Sequence, residues 1–366
     1  MKKSKWSLLV MMFALMLVLA ACGDKEETEK PVDTGKTEVP GDAPETEEGF
    51  KTKVTNDGTA ISGGTLMVAM QKDEPFQGIF NFALYEDGYD AKLMEFANTT
   101  LFADDGDFLL TNEGIASYEV NEETNVVTIK IKPDVKWSDG QPLTIEDVMF
   151  PYNIIGHADY TGVRYDSDFR NIVGAEEYNS ATAAGDTTAT ISGLVKVDET
   201  TLELHLKQIS PGLYSGGDGL LTYAMPVHQL GEVPIADLVE HDGVRKNPLS
   251  LSAFIVDKIV TGESVQYKAN PNYWKGAPKL DGIILKVVPS SSIAKALEAG
   301  EYDLTFNLGS TKYAEVKDLK NIDIIAVPEL YYSYLGFKLG KWNAETLEVE
   351  TDMADSKMGD VESVSY

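Results

Sequence analysis

The chain has 366 residues, 31 Lys+Arg against 59 Asp+Glu, and a formal net charge of −28. That balance excludes a nucleic-acid partner and electrostatic docking on anionic lipid, because both need clustered Lys and Arg. The chain is 43% hydrophobic, enough for roughly two or three domains with real cores, and its single cysteine excludes an internal disulfide, a Cys-rich zinc site and a Cys-ligated iron–sulfur cluster.

In chain order, Met1-Lys2-Lys3-Ser4-Lys5 is a basic start, and the apolar run from Leu8 to Ala21 follows. The run is shorter than the ~20 residues that span a bilayer, and it ends in small residues as a secretory signal does. Leu19-Ala20-Ala21-Cys22 resembles a bacterial lipobox. The resemblance implies a signal peptide over 1–21, cleavage before Cys22, a diacylglycerol on its sulfur, and a lipid anchor on the extracytoplasmic face of the cell membrane. The rest of 22–62 reads as a disordered acidic tether: residues 23–62 hold 11 acids and 5 bases, with too few apolar groups to offset the entropy of ordering.

The folded part begins at Gly63-Gly64, and Thr65 to Met70 reads as its first strand. Tyr89 to Phe96 has helical spacing. Tyr118 to Val120 and Val126 to Ile131 read as a strand pair. Thr144 stands three residues before Asp147 as a helix cap ahead of Val148, Met149, Tyr152 and Ile155. Asn179 to Thr190 reads as an exposed loop. Val195 to Val197 with Thr201 to Leu206, and Phe254 to Val260 with Val265 to Lys268, are further strand pairs. Ile283 to Val288 is an apolar strand, Ile293 to Ala299 a helix closed by Gly300, and Tyr302 to Phe306 and Ile322 to Val327 are strands. Strands and helices mix without a strict βαβ rhythm, which predicts an α/β (mixed α+β) fold.

Signatures of catalysis are absent: the chain has no G-x-S-x-G, no H-E-x-x-H and no P-loop. His157, His205, His228 and His241 are scattered without metal-ligand spacing, and Asp104-Asp105-Gly106-Asp107 lacks the twelve-residue frame of a calcium loop and reads as a turn. No metal and no cofactor are expected.

Three segments carry a resemblance. They are Lys130-Ile131-Lys132-Pro133-Asp134-Val135-Lys136-Trp137-Ser138-Asp139-Gly140-Gln141-Pro142-Leu143-Thr144-Ile145-Glu146-Asp147-Val148; Tyr267 to Asp281, with Asn270-Pro271-Asn272-Tyr273-Trp274 at its centre; and Ala296-Leu297-Glu298-Ala299-Gly300-Glu301-Tyr302-Asp303-Leu304. In order and spacing they resemble the peptide-type (family 5) extracellular solute-binding proteins of ABC importers. Read physically, each is a structural device. Trp137-Ser138-Asp139-Gly140 is a strand ending in a tight turn, and the Asn270 segment is a turn whose aromatics pack beneath a lobe.

The resemblance implies a periplasmic-binding-protein-like two-lobed clamp with an inserted small domain. Lobe one would comprise 63–90 and 194–308, the insert 91–193, and the start of lobe two 309–342. Residues 343–366 are expected to be a disordered, truncated tail that leaves the second lobe incomplete. It also implies capture of an oligopeptide through its main chain, as in strand addition, and delivery to ABC permease subunits, with ATP hydrolysed elsewhere and no enzymatic role. A monomer is expected. By resemblance, the segment containing Tyr85, Glu86, Asp87 and Gly88 supplies part of the grip, its acids near a ligand ammonium; as a bare sequence it reads equally as a surface loop feeding the next helix. Phe306 and Asn307 fall at the lobe junction, where relatives often present an aromatic. Relatives tend to show a Gly-x-Gly-x-Tyr-like run where this chain has Leu249-Ser250-Leu251-Ser252-Ala253-Phe254, with Phe254 in the Tyr place. Alternatives are a receptor for another solute, such as a nickel complex or an oligosaccharide, and a surface interaction lipoprotein.

Overall fold

The computed structural model describes residues 46–47, 50–51, 54, 58–306, 308–325, 341–343 and 348–350. The chain divides into a unit of residues 54–324 and a unit of residues 1–53 with 325–366. In the latter, β1 (Thr46–Glu47) and β2 (Phe50–Lys51) pair antiparallel, Lys51 bridges Ile325 in parallel, and Lys341–Asn343 pairs antiparallel with Glu348–Glu350. The hairpin of β1 and β2 falls inside the tether expected to be disordered, and Glu348–Glu350 inside the expected disordered tail; in both places backbone pairing gives the chain local order. Cys22 lies outside the described residues, as do residues 326–327 of the strand expected at Ile322 to Val327, whose described part forms no strand beyond the bridge at Ile325.

In the larger unit, Leu66 to Met70 is apolar at consecutive positions, the pattern of a strand covered on both faces. It forms β3 (Thr65–Gln71). The chain continues through α1 (Gly88–Ala97), β4 (Ala103–Asp104), β5 (Leu110–Thr111), β6 (Ala116–Asn121), β7 (Val126–Ile131), α2 (Ile145–Gly156) and α3 (Ala175–Ala183). β8 (Leu194–Lys196), β9 (Thr201–His205), α4 (Val227–Leu230), α5 (Asp242–Arg245), β10 (Phe254–Val260), β11 (Ser264–Ala269), β12 (Gly282–Val288), α6 (Ile293–Glu298), β13 (Leu304–Phe306) and α7 (Tyr313–Val316) follow.

The first sheet has the order β10-β11-β12-β3-β13. β3 is parallel to both β12 and β13, while β10, β11 and β12 run antiparallel to one another in turn. Val68 and Met70 on one face meet Leu93, Met94 and Ala97 of α1. Ala69 on the other face lies in the core of Ile293 and Leu297 from α6 and Val316 from α7. Fully burying one such aliphatic side chain contributes about 1.5–3 kcal/mol.

The second sheet is antiparallel, in the order β6-β7-β9-β8. Val127, Ile129 and Ile131 alternate inward on β7, and Leu202 and Leu204 on β9 share their core with Val148, Tyr152 and Ile155 of α2. Pairing and packing cross two of the domain boundaries expected from the sequence. Within the segment 194–205, assigned to lobe one, β9 pairs along β7 from Val126↔His205 to Lys130↔Thr201 and β8 pairs with β9, so the segment completes the second sheet. The helix cut at residue 90 belongs whole to the first sheet. The expected loop at Asn179 to Thr190 is helical as far as Ala183. Tyr178 is buried there, and the Asn179 side-chain amide donates to the Gly156 carbonyl at 3.1 Å, which anchors the last turn of α3 on α2.

The capping box foreseen at Thr144 is present: its hydroxyl accepts from the Asp147 N–H, and the Asp147 carboxylate accepts from the Thr144 N–H at 2.9 Å. Pro151 sits inside α2. It lacks the N–H that would bond the Asp147 carbonyl, and that carbonyl instead accepts from the Met225 N–H at 2.9 Å.

Candidate ligand site at the ends of the parallel strands

β12 ends on one side of β3 and the chain crosses by way of α6 to place β13 on the other side, so three parallel strands end at one edge. In open α/β sheets that edge is where ligands bind. Here it is stitched together by side chains. Gln71, the last residue of β3, donates to the Ser290 hydroxyl at 2.9 Å and accepts from the Gly309 N–H at 3.1 Å. Asp73 accepts from the Ser290 N–H at 2.8 Å and from its hydroxyl at 2.7 Å, and these bonds hold the Asp73 carboxyl below the usual carboxylate range. An open cleft of about 450 Å³ lies beside this edge, lined by Lys72, Asp73, Glu263 and Lys286 among others.

Lys72 follows β3 directly and is 8% exposed. Its ammonium pairs with Asp87 at 3.1 Å and lies 3.7 Å from the centre of the Tyr89 ring, two contacts that offset the cost of burying the charge. Asp87 also accepts from the Tyr89 N–H at 2.9 Å and so caps α1. Its carboxylate is therefore occupied twice by the protein. Glu86, one residue earlier, is exposed and makes no hydrogen bond or ion pair among the described residues. Gly88 is the first residue of α1 and exposed. Asp90 is buried beneath the same segment, accepting from the Gly78 and Ile79 N–H groups at 2.9 and 3.0 Å. Burial pushes its carboxyl up in spite of those bonds.

Tyr85 is half-buried, its carbonyl accepting from Arg164 at 2.7 Å with the guanidinium 4.3 Å from the centre of its ring. Phe306 sits on β13 opposite Met70, and its ring faces Phe96, at the far end of α1, at 6.2 Å. The structure thus keeps Tyr85 to Gly88 together at the start of α1 and packs Phe306, on β13, against the far end of that helix. Asn307 lies outside the described residues. Sequence reasoning missed Lys72 and Arg164. The first could have been flagged as a cation placed immediately after an apolar strand; the second, among Tyr160, Tyr165 and no other cation, carries no local signal.

The motif residues lie away from this edge. Trp137 is 1% exposed, and its indole N–H donates at 3.1 Å to Asp147, whose carboxylate also accepts from the Val227 N–H at 2.9 Å. Gly140 takes a φ of 92° in the turn that follows. Ser138 donates its N–H to the Ser250 carbonyl at 2.8 Å and accepts from the Asn272 side chain at 3.1 Å. Asn270, fully buried, donates to the Ser252 carbonyl at 2.7 Å and accepts from the Asn272 N–H at 2.9 Å. Where relatives tend to carry glycines, the Ser250 hydroxyl accepts from the Ser252 N–H at 2.9 Å and donates to the Phe254 carbonyl at 2.7 Å, so a side chain closes this turn. Asp303 of the third segment exchanges two bonds with Met67, each 2.8 Å. Among the described residues no cluster of His, Cys, Asp and Glu could hold a metal ion, and no helix is long and apolar enough to cross a membrane.

Residues 111–351 match the profile of bacterial extracellular solute-binding proteins, family 5 (middle). The oligopeptide-binding protein OppA of Lactococcus lactis subsp. lactis is 31% identical over 249 residues, 67% of this chain and 41% of that protein. The oligopeptide-binding protein AppA of Bacillus subtilis is 31% identical over 210 residues, 57% of this chain and 35% of that protein. Among solved structures, lactococcal OppA complexed with an endogenous peptide in the closed conformation matches with a TM-score of 0.66 at 31% identity, over 70% of this chain and 48% of that one. Bacillus subtilis AppA in complex with a nonapeptide matches with a TM-score of 0.58 at 25% identity, over 72% and 47%. The expected α/β, periplasmic-binding-protein-like fold is thereby met, and the chain spans about two-fifths of the length of the curated relatives it matches.

Proposed function

From a chain that belongs to the family 5 bacterial extracellular solute-binding proteins, we infer a receptor that captures oligopeptides outside the cell and hands them to an ABC permease, without turning them over. The observation that carries this reading is the similarity to two oligopeptide-binding proteins, one of them solved with an endogenous peptide in place. The geometry of the strand edge agrees with it. Glu86 is an exposed carboxylate with no hydrogen bond or ion pair among the described residues, flanked by the anchored Tyr85 and Asp87, and a peptide ammonium is a fitting counter-ion. Asp87, expected to share that role, also caps α1 and pairs with Lys72. Tyr85 and Gly88 would offer main-chain groups to an extended ligand, and Phe306 and Asn307 an aromatic and an amide from the neighbouring strand end. A lipid on Cys22 would keep this receptor, as a monomer, at the outer face of the membrane.

Thermal-shift screening of the purified chain with peptide pools, nickel–histidine complexes and oligosaccharides tests the ligand class, since a ligand of the native state raises the melting temperature by mass action. Peptides alone should shift it, and a shift with only one of the others would replace the reading. Glu86→Gln should weaken free-amine peptides about tenfold, the worth of one charge-assisted hydrogen bond, while leaving N-acetylated peptides unchanged. Loss of labelling with radioactive palmitate in Cys22→Ser would establish the anchor, and equal labelling would refute it.

A further inference from the structure

The segment from Gln77 to Asp87 has no helix or strand of its own, so whatever holds Glu86 in one place must come from elsewhere in the chain. At its start, Asp90 fixes Gly78 and Ile79. In its middle, the Asn81 carbonyl accepts from the Leu84 and Tyr85 N–H groups at 3.2 and 3.0 Å. Two of its carbonyls are taken by side chains from the loop after α2, about eighty residues away, and the Gln77 carbonyl accepts from Arg245 at 2.8 Å. The Tyr160 hydroxyl donates to the Ala83 carbonyl at 2.6 Å. Arg164 donates from one terminal nitrogen to the Tyr85 carbonyl at 2.7 Å, with a longer contact to the Ala83 carbonyl at 3.5 Å, and its guanidinium carbon lies over the Tyr85 ring, 4.3 Å from its centre. A guanidinium can do both at once because it is flat, permanently charged and forked; an ammonium offers no plane to stack.

We propose that Arg164 is the positioning residue of the ligand segment: by gripping the Tyr85 carbonyl and ring, with Tyr160 on Ala83, it holds Glu86 ready for the ammonium of an incoming peptide. The inference rests on the peptide-receptor reading. It extends that reading by assigning the order of the site to a side chain of the inserted region that need not touch the ligand. The grip uses main-chain carbonyls, so the sequence of the segment can vary while its path stays the same. Without the grip the segment would sample many backbone states, and binding would first have to select the competent one, which weakens apparent affinity by the competent fraction.

Two measurements on the full chain decide it. The first needs no ligand. In Arg164→Lys and Arg164→Ala, hydrogen exchange at the Leu84 and Tyr85 amides should speed up about tenfold or more, with exchange in β7 and β9 unchanged. Unchanged exchange at Leu84 and Tyr85 overturns the proposal, and Tyr160→Phe, a milder change, should give a smaller effect of the same kind. The second is the ratio of Kd for an N-acetylated peptide to Kd for its free-amine form. Arg164→Ala should pull that ratio toward one, and the double variant Glu86→Gln/Arg164→Ala should be no worse than Glu86→Gln, because coupled residues are not additive. A purely structural loss would weaken both peptides equally and leave the ratio intact, which would also overturn the proposal. A wild-type chain whose ratio is already one would sink the ammonium reading of Glu86, and the exchange result would still judge Arg164.

Discussion

Two regions of the larger unit use polar residues in opposite ways. Around Ser138, Ser250 and Asn270, side-chain and backbone groups bond one another, and Ser250 and Asn270 are fully buried. Along Tyr85 to Gly88, at the ends of the parallel strands, one carboxylate is left over and exposed. The first region holds the motif residues on which the family resemblance rests, and the second holds the residues proposed to bind. Recognisability and the proposed site thus sit apart, because a buried motif region tolerates few alternatives while an exposed edge can be rebuilt for each ligand.

The sharpest way to break this comparison is Asp147→Ala. It strands the Trp137 indole N–H and the N–H groups of Thr144 and Val227, each costing about 1–3 kcal/mol when buried without a partner, so urea unfolding should show a loss of about 3 kcal/mol or more. Asn270→Ala should follow at about 1–3 kcal/mol by the same argument, with peptide affinity of the folded fraction unchanged. If either variant kept full stability but lost ligand, the motif region would be part of the site after all.

The comparison also sharpens with pH. Asp90 has its carboxyl raised by burial. Its contribution is greatest below the unfolded value of about 4 and is lost as pH rises through the folded value. Asp90→Asn should therefore flatten a decline in stability that the parent chain shows above about pH 4, read from denaturant midpoints. Asp73 runs the other way. Ser290 lowers its carboxyl, so its small contribution is present above the unfolded value and fades as pH falls through the folded one. Asp73→Asn should remove that acid-side loss, the smallest effect of the set.

Much of the scaffold was legible. The alternation of Val127, Ile129 and Ile131 declared a half-buried strand, and Thr144 with Asp147 declared a helix start. Other parts depend on distance in space. That β9 belongs with β7 follows from Leu202 and Leu204 sharing a core with Ile129, which local periodicity cannot say. Asp87 was legible as an acid but not as a cap committed to Lys72, since the lysine arrives from the end of another element. Arg164 is the extreme case: its role exists only because a carbonyl 79 positions away points at it.

Pro151 carries a consequence for how the chain reaches this state. The opening turn of α2 has a carbonyl that no residue of the helix can satisfy, and its partner at Met225 is synthesised much later. A nascent chain emerging only as far as β9 would hold its inserted sheet with that helix still one bond short. Chain growth past Met225 then closes the ladder and, through Val227 on the Asp147 carboxylate, locks the Trp137 turn in the same step. Release from the ribosome or from an export channel before that point should yield a protease-sensitive intermediate, and release after it a resistant one.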